Sequence, residues 1–186
     1  MSDNMTLWDK VSKTNPAHTK PVKLGRSITA IDPYRQIEAA TEQFGAAGDG
    51  WGWSVVKTEF LSTNEVCCLV RLWHKSPDKF IEQWGQNGLY IDKKELKKDT
   101  DCMKKATTDG LTKCLSMLGF NADVFLGKFD DNKYIQQMQA EFAEPIVYEI
   151  DDNATGWINA AKADASVLNQ LKDAGYRAFI KEQAGV

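Results

Sequence analysis

Residues 103–120 read MKKATTDGLTKCLSMLGF, a stretch whose apolar residues recur at the spacing of an α-helix. Projected at about 100° per residue, the apolar side chains share one broad face and the polar side chains occupy the other. Gly110 lies on the apolar face, although glycine inside a helix costs roughly 1 kcal/mol relative to alanine. Because glycine has no side chain, this position allows another backbone to come close. The pattern predicts a core helix that packs on a sheet, with Asp101 as its cap and Gly119 at its end. The apolar face consists of Met103, Ala106, Gly110, Leu111, Cys114, Leu115, Met117 and Leu118.

Three strands are predicted before this helix. The segment WGWSVVKTEFL (51–61) alternates like a strand, and EVCCLVRLWHK (65–75) is rich in Val, Leu and Trp. Ser-Thr-Asn at 62–64 predicts a turn between them. A second turn is predicted at 76–78, and KFIEQWGQNG (79–88) forms the third strand. The predicted fold class is therefore α+β: an antiparallel β-β-β meander with a long helix packed on it.

The flanking segments add an arm and a tail to this core. Residues 1–31 contain two prolines and little periodicity, so we expect an N-terminal arm with a short helix near 7–11 and no core element. Asp32 followed by proline predicts the start of a helix that continues to Phe44. The predicted domains are the arm at 1–31, a core at 32–139, and an acidic linker with a small helical tail at 140–186.

The composition is typical of a soluble globular protein. The chain has 186 residues, of which 42% are hydrophobic and 26% charged. It contains no apolar run long enough to span a membrane and no signal-peptide core near its start, so a cytoplasmic protein is expected. Its four cysteines show no CxxC spacing, which argues against a zinc site and favours reduced thiols.

The net charge of −3 is unevenly distributed. Residues 1–139 carry 19 basic and 18 acidic side chains, whereas residues 140–186 carry 4 and 8. The first part can therefore meet an anionic partner, while the tail is acidic and is expected to have another role.

Two motifs invite an enzymatic interpretation. The glycine-rich segment FGAAGDGWGW (44–53) lacks GxxxxGK[ST] and leads from a helix into a strand, so it is interpreted as a turn and not as a phosphate loop. Asp78 after proline, with Glu95 and Lys97 further on, resembles the skeleton of a Mg²⁺-dependent nuclease. In such a site two carboxylates hold the metal and the lysine helps to position the attacking water. This nuclease remains an alternative.

A run of lysines precedes and enters the long helix. Acidic residues interleave it, so one interpretation is a solvated face of ion pairs. The other is a phosphate-contacting rim beside exposed aromatic side chains, which is the usual composition of a site for single-stranded nucleic acid. The lysines are Lys93, Lys94, Lys97, Lys98, Lys104, Lys105 and Lys113.

Two stretches together resemble a known family. RQIEAATEQFG (35–45), followed by Gly50-Trp51, is similar to the start of the DNA-annealing domain of the Rad fifty-two superfamily. KKATTDGL (104–111), continuing to Leu115 and Gly119, is similar to the long helix of that domain. The resemblance covers roughly residues 32–128. In size and layout the chain resembles the phage single-strand DNA annealing proteins (recombinases) of this superfamily, which includes Redβ, RecT and Erf.

The resemblance implies a binding protein and not an enzyme. It implies a protein that binds single-stranded DNA and anneals complementary strands in phage homologous recombination, inside the bacterial host cell. Such proteins act as oligomeric rings or helical filaments and need no nucleotide cofactor and no ATP. The tail would then contact a phage exonuclease or a host single-strand binding protein. A non-catalytic adaptor protein is the third possibility.

The resemblance also suggests which residues contact DNA. Arg35 matches a DNA-contacting arginine of the family, and Lys113 matches one member of a basic cluster on the long helix. That cluster is thinner here, because Thr112 and Ser116 occupy positions that are basic in other members. The remaining phosphate contacts are therefore expected from Lys104, Lys105, Lys97 and Lys98.

Overall fold

The computed structural model describes residues 3–24, 26–91, 97–143 and 148–186, which form two compact units divided after Phe142. Short 3-10 helices occur at Asp3–Met5, Pro16–His18 and Lys128–Asp130 of the first unit. Its other elements are α1 (Thr6–Val11), β1 (Thr19–Leu24), β2 (Arg26–Ile31), α2 (Pro33–Phe44), β3 (Trp51–Leu61), β4 (Glu65–His74), β5 (Ser76–Gly88), α3 (Cys102–Met117), α4 (Ala122–Phe125) and α5 (Asn132–Glu141).

The predicted α+β fold is confirmed. Strands β3, β4 and β5 form an antiparallel meander, in which Trp51 pairs with His74 and Glu65 pairs with Gly88. Alternate residues of β4 are fully buried, as expected for a strand with one face on a core. Helix α3 covers that face. The buried residues of β4 are Val66, Cys68, Val70 and Leu72.

Close contact between α3 and the sheet depends on two glycines. A Cβ atom added to Gly85 of β5 would lie 2.0 Å from the carbonyl oxygen of Ala106 and 2.2 Å from the nitrogen of Gly110. A Cβ atom on Gly110 would lie 2.6 Å from Cγ2 of Val70. The expectation that Gly110 admits a neighbouring backbone is therefore confirmed, and that backbone belongs to β5.

The ends of α3 differ in part from the prediction. Asp101 precedes the helix but makes no capping hydrogen bond, since its carboxylate pairs with Lys104 instead. Gly119 follows the helix with φ +101°, a conformation that favours glycine. Met103 and Met117 are exposed, contrary to the prediction. They lie in the first and last turns, where periodicity assigns a face but does not ensure that the sheet reaches it.

The second predicted turn is wrong. Strand β5 begins at Ser76, so residues 76–78 belong to it, and the turn is centred on Lys75, whose φ is 67°. The turn at 62–64, the helix at 34–44 and its Asp32 cap are confirmed, since the Asp32 carboxylate accepts a hydrogen bond from the Tyr34 N–H.

The N-terminal segment is more structured than predicted. Strands β1 and β2 form an antiparallel hairpin, and Val11 of the predicted short helix belongs to the buried core. The buried Asp123 carboxylate accepts hydrogen bonds from the backbone N–H and hydroxyl of Thr14 and from the Tyr134 hydroxyl, at 2.8, 2.5 and 2.9 Å. Burial and the hydrogen bond to Asp123 raise the pKa of Tyr134 above its ordinary value. These contacts anchor the segment to α4 and α5, which a sequence pattern could not reveal.

The second unit has its own core. It consists of α6 (Asp152–Ala163), a 3-10 helix at Ala165–Gln170 and α7 (Ala174–Ala184). Its buried residues are Ala154, Ile158, Ala161, Leu168, Leu171 and Ile180. Within the described parts of the chain, no helix combines the length and apolar character needed to cross a membrane.

Candidate nucleic-acid interface

A cleft of about 700 Å³ separates β2 from the polar side of α3, and we call it the hairpin cleft. Residues 28–31 form one wall. Lys104, Lys105, Thr108 and Thr112 form the other, because helical spacing places them on neighbouring turns of α3, and Asp101 and Asp109 lie beside them. The exposed ring of Phe125 also lines this cleft.

Lys104 also lines two further clefts. The first, of about 490 Å³, contains Phe60, Tyr90 and Lys98, and we call it the strand-end cleft. The second, of about 560 Å³, contains Tyr34 and Trp53, and we call it the aromatic cleft. Phe60 is 63% exposed and Tyr34 is 80% exposed. The three clefts therefore bring lysines and solvent-exposed aromatic rings together around one exposed side chain.

Lys104 and Lys105 are held differently. The Lys104 side chain is 78% exposed, and its ammonium group lies 2.7 Å from the Asp101 carboxylate. The hydrogen bond to Asp101 raises the pKa of Lys104 above its ordinary value. The Lys105 ammonium group donates a 2.7 Å bond to Asp99, which is only 7% exposed. Lys104 can consequently turn toward a ligand, whereas Lys105 is also a partner of a buried charge.

Asp99 is the centre of a small network. Its carboxylate accepts hydrogen bonds from Lys105, from the Asn87 side chain at 3.1 Å and from the backbone N–H of Asp101 at 3.0 Å. These donors, with Lys105 the strongest, hold the pKa of Asp99 below its ordinary value. The network fixes the start of α3 beside the end of β5.

Lys113 has a clear structural contact. Its ammonium group bonds the Asp109 carboxylate at 2.8 Å and the carbonyl oxygen of Trp84 at 3.2 Å. Asp109 in turn accepts a 3.0 Å hydrogen bond from the backbone N–H of Gln86. This i, i+4 pair on α3 therefore satisfies one carbonyl and one N–H on the outer edge of β5.

Arg35 lies elsewhere. Its guanidinium group pairs with Glu38 at 2.7 Å, and the side chain lines a separate cleft of about 450 Å³ that also contains Lys10, Lys13 and His18. In this cleft Lys13 pairs with Glu141 at 2.5 Å. The structure thus brings Lys104, Lys105 and Lys98 to one surface and places Arg35 in another cleft.

Lys97 and Lys98, the first residues of the described segment 97–143, are both exposed. The carbonyl oxygen of Lys97 accepts a 2.9 Å bond from the Ile91 N–H, and Lys98 forms an isolated antiparallel bridge with Tyr90. Lys98 lines the strand-end cleft, and Lys97 is its neighbour in the sequence.

No protein-family model matches the chain, and a search of curated proteins gives no match either. The three clefts are therefore interpreted from the chemistry of the residues that line them. The three clefts combine lysines with aromatic rings and with hydroxyl groups from Thr107, Thr108 and Thr112. Asp101 and Asp109 also line the hairpin cleft, and Asp99 lines the strand-end cleft.

Asp78 and Lys97 of the alternative nuclease are not brought together. Asp78 lies near the start of β5, whereas Lys97 contacts the chain beyond the other end of this strand. The ten residue steps from Asp78 to Gly88 span about 33 Å, so Lys97 cannot position water on a metal ion held by Asp78. Glu95 lies outside the described residues, and among those described no group of three acidic, histidine or cysteine side chains has metal-binding geometry.

The sequence predicts exposed aromatic side chains beside the lysines but does not identify most of them. The structure shows Tyr34, Trp53, Phe60 and Phe125 exposed. The exposure of Trp53 and Phe60 follows from packing, since α3 covers β4 and β5 and leaves much of β3 uncovered. The spacing of apolar residues alone could not distinguish a covered edge from an open one.

Proposed function

We propose that this protein binds single-stranded DNA and anneals complementary strands without ATP, as an oligomeric ring or filament in phage homologous recombination. The observation that carries the proposal is the convergence of the hairpin, strand-end and aromatic clefts at Lys104, with Lys98 and Lys105 beside it. The two-motif resemblance to the Rad fifty-two, Redβ, RecT and Erf superfamily supports the same function.

The chemistry of the three clefts suits a strand of any sequence. Lysines neutralise phosphates, and aromatic rings stack on bases without distinguishing them, at about 1–3 kcal/mol per base. An annealing protein must leave the base edges free to meet the complementary strand. A site of lysines, threonines and aromatic rings meets this requirement better than one built to read bases in a groove.

The ion pairs on this surface do not prevent phosphate binding. Lys104 and Asp101 form a solvent-exposed pair, and such pairs contribute only about 0–1 kcal/mol. A phosphate can replace Asp101 at little cost, whereas Lys105 stays paired with Asp99, which largely neutralises its charge. Among the described residues the three clefts contain three lysines, so a long strand requires several copies side by side.

The proposal is tested with labelled complementary oligonucleotides and the full-length protein. We expect annealing in the absence of Mg²⁺ and ATP. Single-strand affinity should fall with salt, each phosphate contact contributing about −0.7 to the logarithmic slope. Lys104→Ala should weaken binding of all sequences and flatten the slope by about one contact, with Lys133→Ala, an exposed lysine outside the three clefts, as the matched control.

Aromatic stacking is tested separately. Phe125→Ala should weaken single-strand binding by about 1–3 kcal/mol without changing the salt slope, because it removes a ring and no charge. Failure to bind or anneal DNA would refute the proposal. Mg²⁺-dependent cleavage that Asp78→Ala abolishes would instead establish the nuclease.

A further inference from the structure

Strand β3 is an exposed edge of the sheet. Among the described strands only β4 pairs with it, and a single bridge from Ala47 covers its outer side at Trp51. The strand is eleven residues long, and its large apolar side chains are exposed along most of its length. Long apolar edge strands of this kind are templates for pairing with another chain. The exposed apolar residues are Trp53, Val55, Val56, Phe60 and Leu61.

The opposite edge of the sheet is protected. On β5, Asp109 and Lys113 of α3 occupy the outward N–H of Gln86 and the outward carbonyl of Trp84. The second residue of the same strand is proline, and two exposed charged residues follow it, which discourages pairing. A head-to-tail arrangement of β3 on β5 is therefore blocked at these positions, and β3 on β3 remains available.

The central residues of β3 are complementary to themselves. In the order Val56, Lys57, Thr58, Glu59 and Phe60, the charges and the apolar residues are symmetric about Thr58. We propose that two copies of this chain pair β3 with β3 in antiparallel register centred on Thr58. Lys57 then lies opposite the partner's Glu59. Val56 is the extra residue of a β-bulge between Val55 and Lys57, so the register is defined by the two Lys57–Glu59 pairs.

Charge and face both support this register. Lys57 and Glu59 already form an ion pair within one chain, so their side chains occupy the same face of β3. Directly opposed residues of antiparallel strands also share a face, so each charge meets an opposite charge across the two-fold axis. Thr58 and Phe60 pair with Cys68 and Val66, which face α3. The two helical layers therefore lie on the same side of the joined sheet.

This dimer limits how the proposed assembly can be built. Pairing at β3 is two-fold and closed, so a ring or filament needs a second, different contact between dimers. Phe60 lines the strand-end cleft, so the clefts of the two copies lie on either side of the two-fold axis. The dimer itself rests only on the geometry of β3, whereas its place in a ring or filament also rests on the proposed function.

Charge reversal tests the register in the absence of DNA. Analytical ultracentrifugation should show a dimer for the wild type. Lys57→Glu and Glu59→Lys should each raise the dimer dissociation constant by about tenfold, because each variant places like charges opposite one another twice per dimer. The double variant Lys57→Glu/Glu59→Lys should restore the wild-type value. Lys79→Glu on β5 is the matched control and should leave it unchanged.

Disulfide trapping tests the same register by distance. In a Cys67→Ser/Cys102→Ser background, an equimolar mixture of Lys57→Cys and Glu59→Cys proteins should form a covalent heterodimer on mild oxidation. The two cysteines lie opposite one another across the two-fold axis, and the second Lys57–Glu59 pair is retained. Each variant alone should stay largely uncrosslinked. A monomer at all concentrations, an unrestored double reversal, or equal crosslinking by Lys57→Cys alone would overturn the proposal, whether or not the protein anneals DNA.

Discussion

Lys104 and Lys105 are adjacent in the sequence, but their substitutions should have different consequences. Lys104 pairs with the exposed Asp101, whereas Lys105 neutralises Asp99, which is buried and bonded to Asn87 and to the Asp101 N–H. Removal of Lys105 leaves a buried carboxylate without its cation, which destabilises a fold as well as removing a ligand contact. Lys104 is therefore the residue that reports binding alone.

The contribution of Lys105 should depend on pH. Lys105→Met should lower the free energy of unfolding at pH 7, since ionised Asp99 then lacks its strongest donor. The folded-state pKa of Asp99 is below its ordinary value of 3.8, so this stabilisation is complete above 3.8 and is lost as pH falls through the lower folded value. Urea denaturation of the two proteins between pH 7 and acid checks the prediction.

Lys104→Met is the control for this experiment. Its partner Asp101 is exposed, so the variant should show little change in unfolding at any pH. If Lys105→Met lowers the free energy of unfolding by the same amount even in strong acid, lost packing, and not the charge of Asp99, accounts for the difference.

The candidate site was only partly predictable at the level of residues. Lys98, Lys104 and Lys105 were identified from charge pattern, and they meet on one surface. The partners of Lys105 and Lys113 could not be predicted from the sequence. Asp99, the partner of Lys105, is held in place by Asn87 at the end of β5, and Lys113 bonds the carbonyl oxygen of Trp84, 29 residues away. The DNA-contacting roles of Arg35 and Lys113 stay predictions.

At the scale of elements, the fit of α3 on β5 makes a strong prediction. Gly85→Ala should destabilise the first unit by about 3 kcal/mol or more, because the added methyl group overlaps backbone atoms of α3 that cannot move independently. Gly156→Ala in α6 is the contrasting control. Its Cβ would meet no atom within 4 Å, so it should stabilise the second unit by about 0.5–1 kcal/mol. Urea denaturation followed by circular dichroism measures both, and equal effects would refute the close contact.

The anchoring of the N-terminal segment gives a second prediction at this scale. Asp123→Asn should cost about 3 kcal/mol, since an amide group replaces a buried carboxylate that accepts bonds from Thr14 and Tyr134. Limited proteolysis should then cut faster within residues 12–32. Tyr134→Phe removes one donor and leaves the Thr14 bonds, so it should cost only about 1 kcal/mol. Unchanged proteolysis in Asp123→Asn would mean that other contacts hold the segment.

The core elements were predictable because their apolar residues follow a helical or strand period. Strand β3, helix α2 and the body of α3 occupy the predicted ranges. The β1–β2 hairpin was not predicted, because its stability depends on distant contacts and its strands contain only six residues each. The position of the turn at Lys75 was also not predicted. The proline at 77 suggested a turn, but proline is tolerated near the start of an edge strand.

At the scale of the whole molecule, the division after Phe142 predicts separable functions. The second unit has its own buried cluster, so removing residues 143–186 should leave the first unit folded. DNA binding and annealing should persist, since the three clefts are formed by residues of the first unit. Circular dichroism and the annealing assay check this. A truncated protein that is folded but cannot anneal would place the second unit within the active assembly.

The hydrogen bond from the Gln86 N–H to Asp109 has a consequence for amide hydrogen exchange. This amide points away from the sheet, so its proton is protected by a side chain of α3 and not by another strand. Its exchange rate therefore reports how often α3 lifts from the sheet, whereas the β5 amides bonded to β4 report opening of the sheet itself. Exchange rates measured on one strand thus distinguish the opening of the helix from the opening of the sheet.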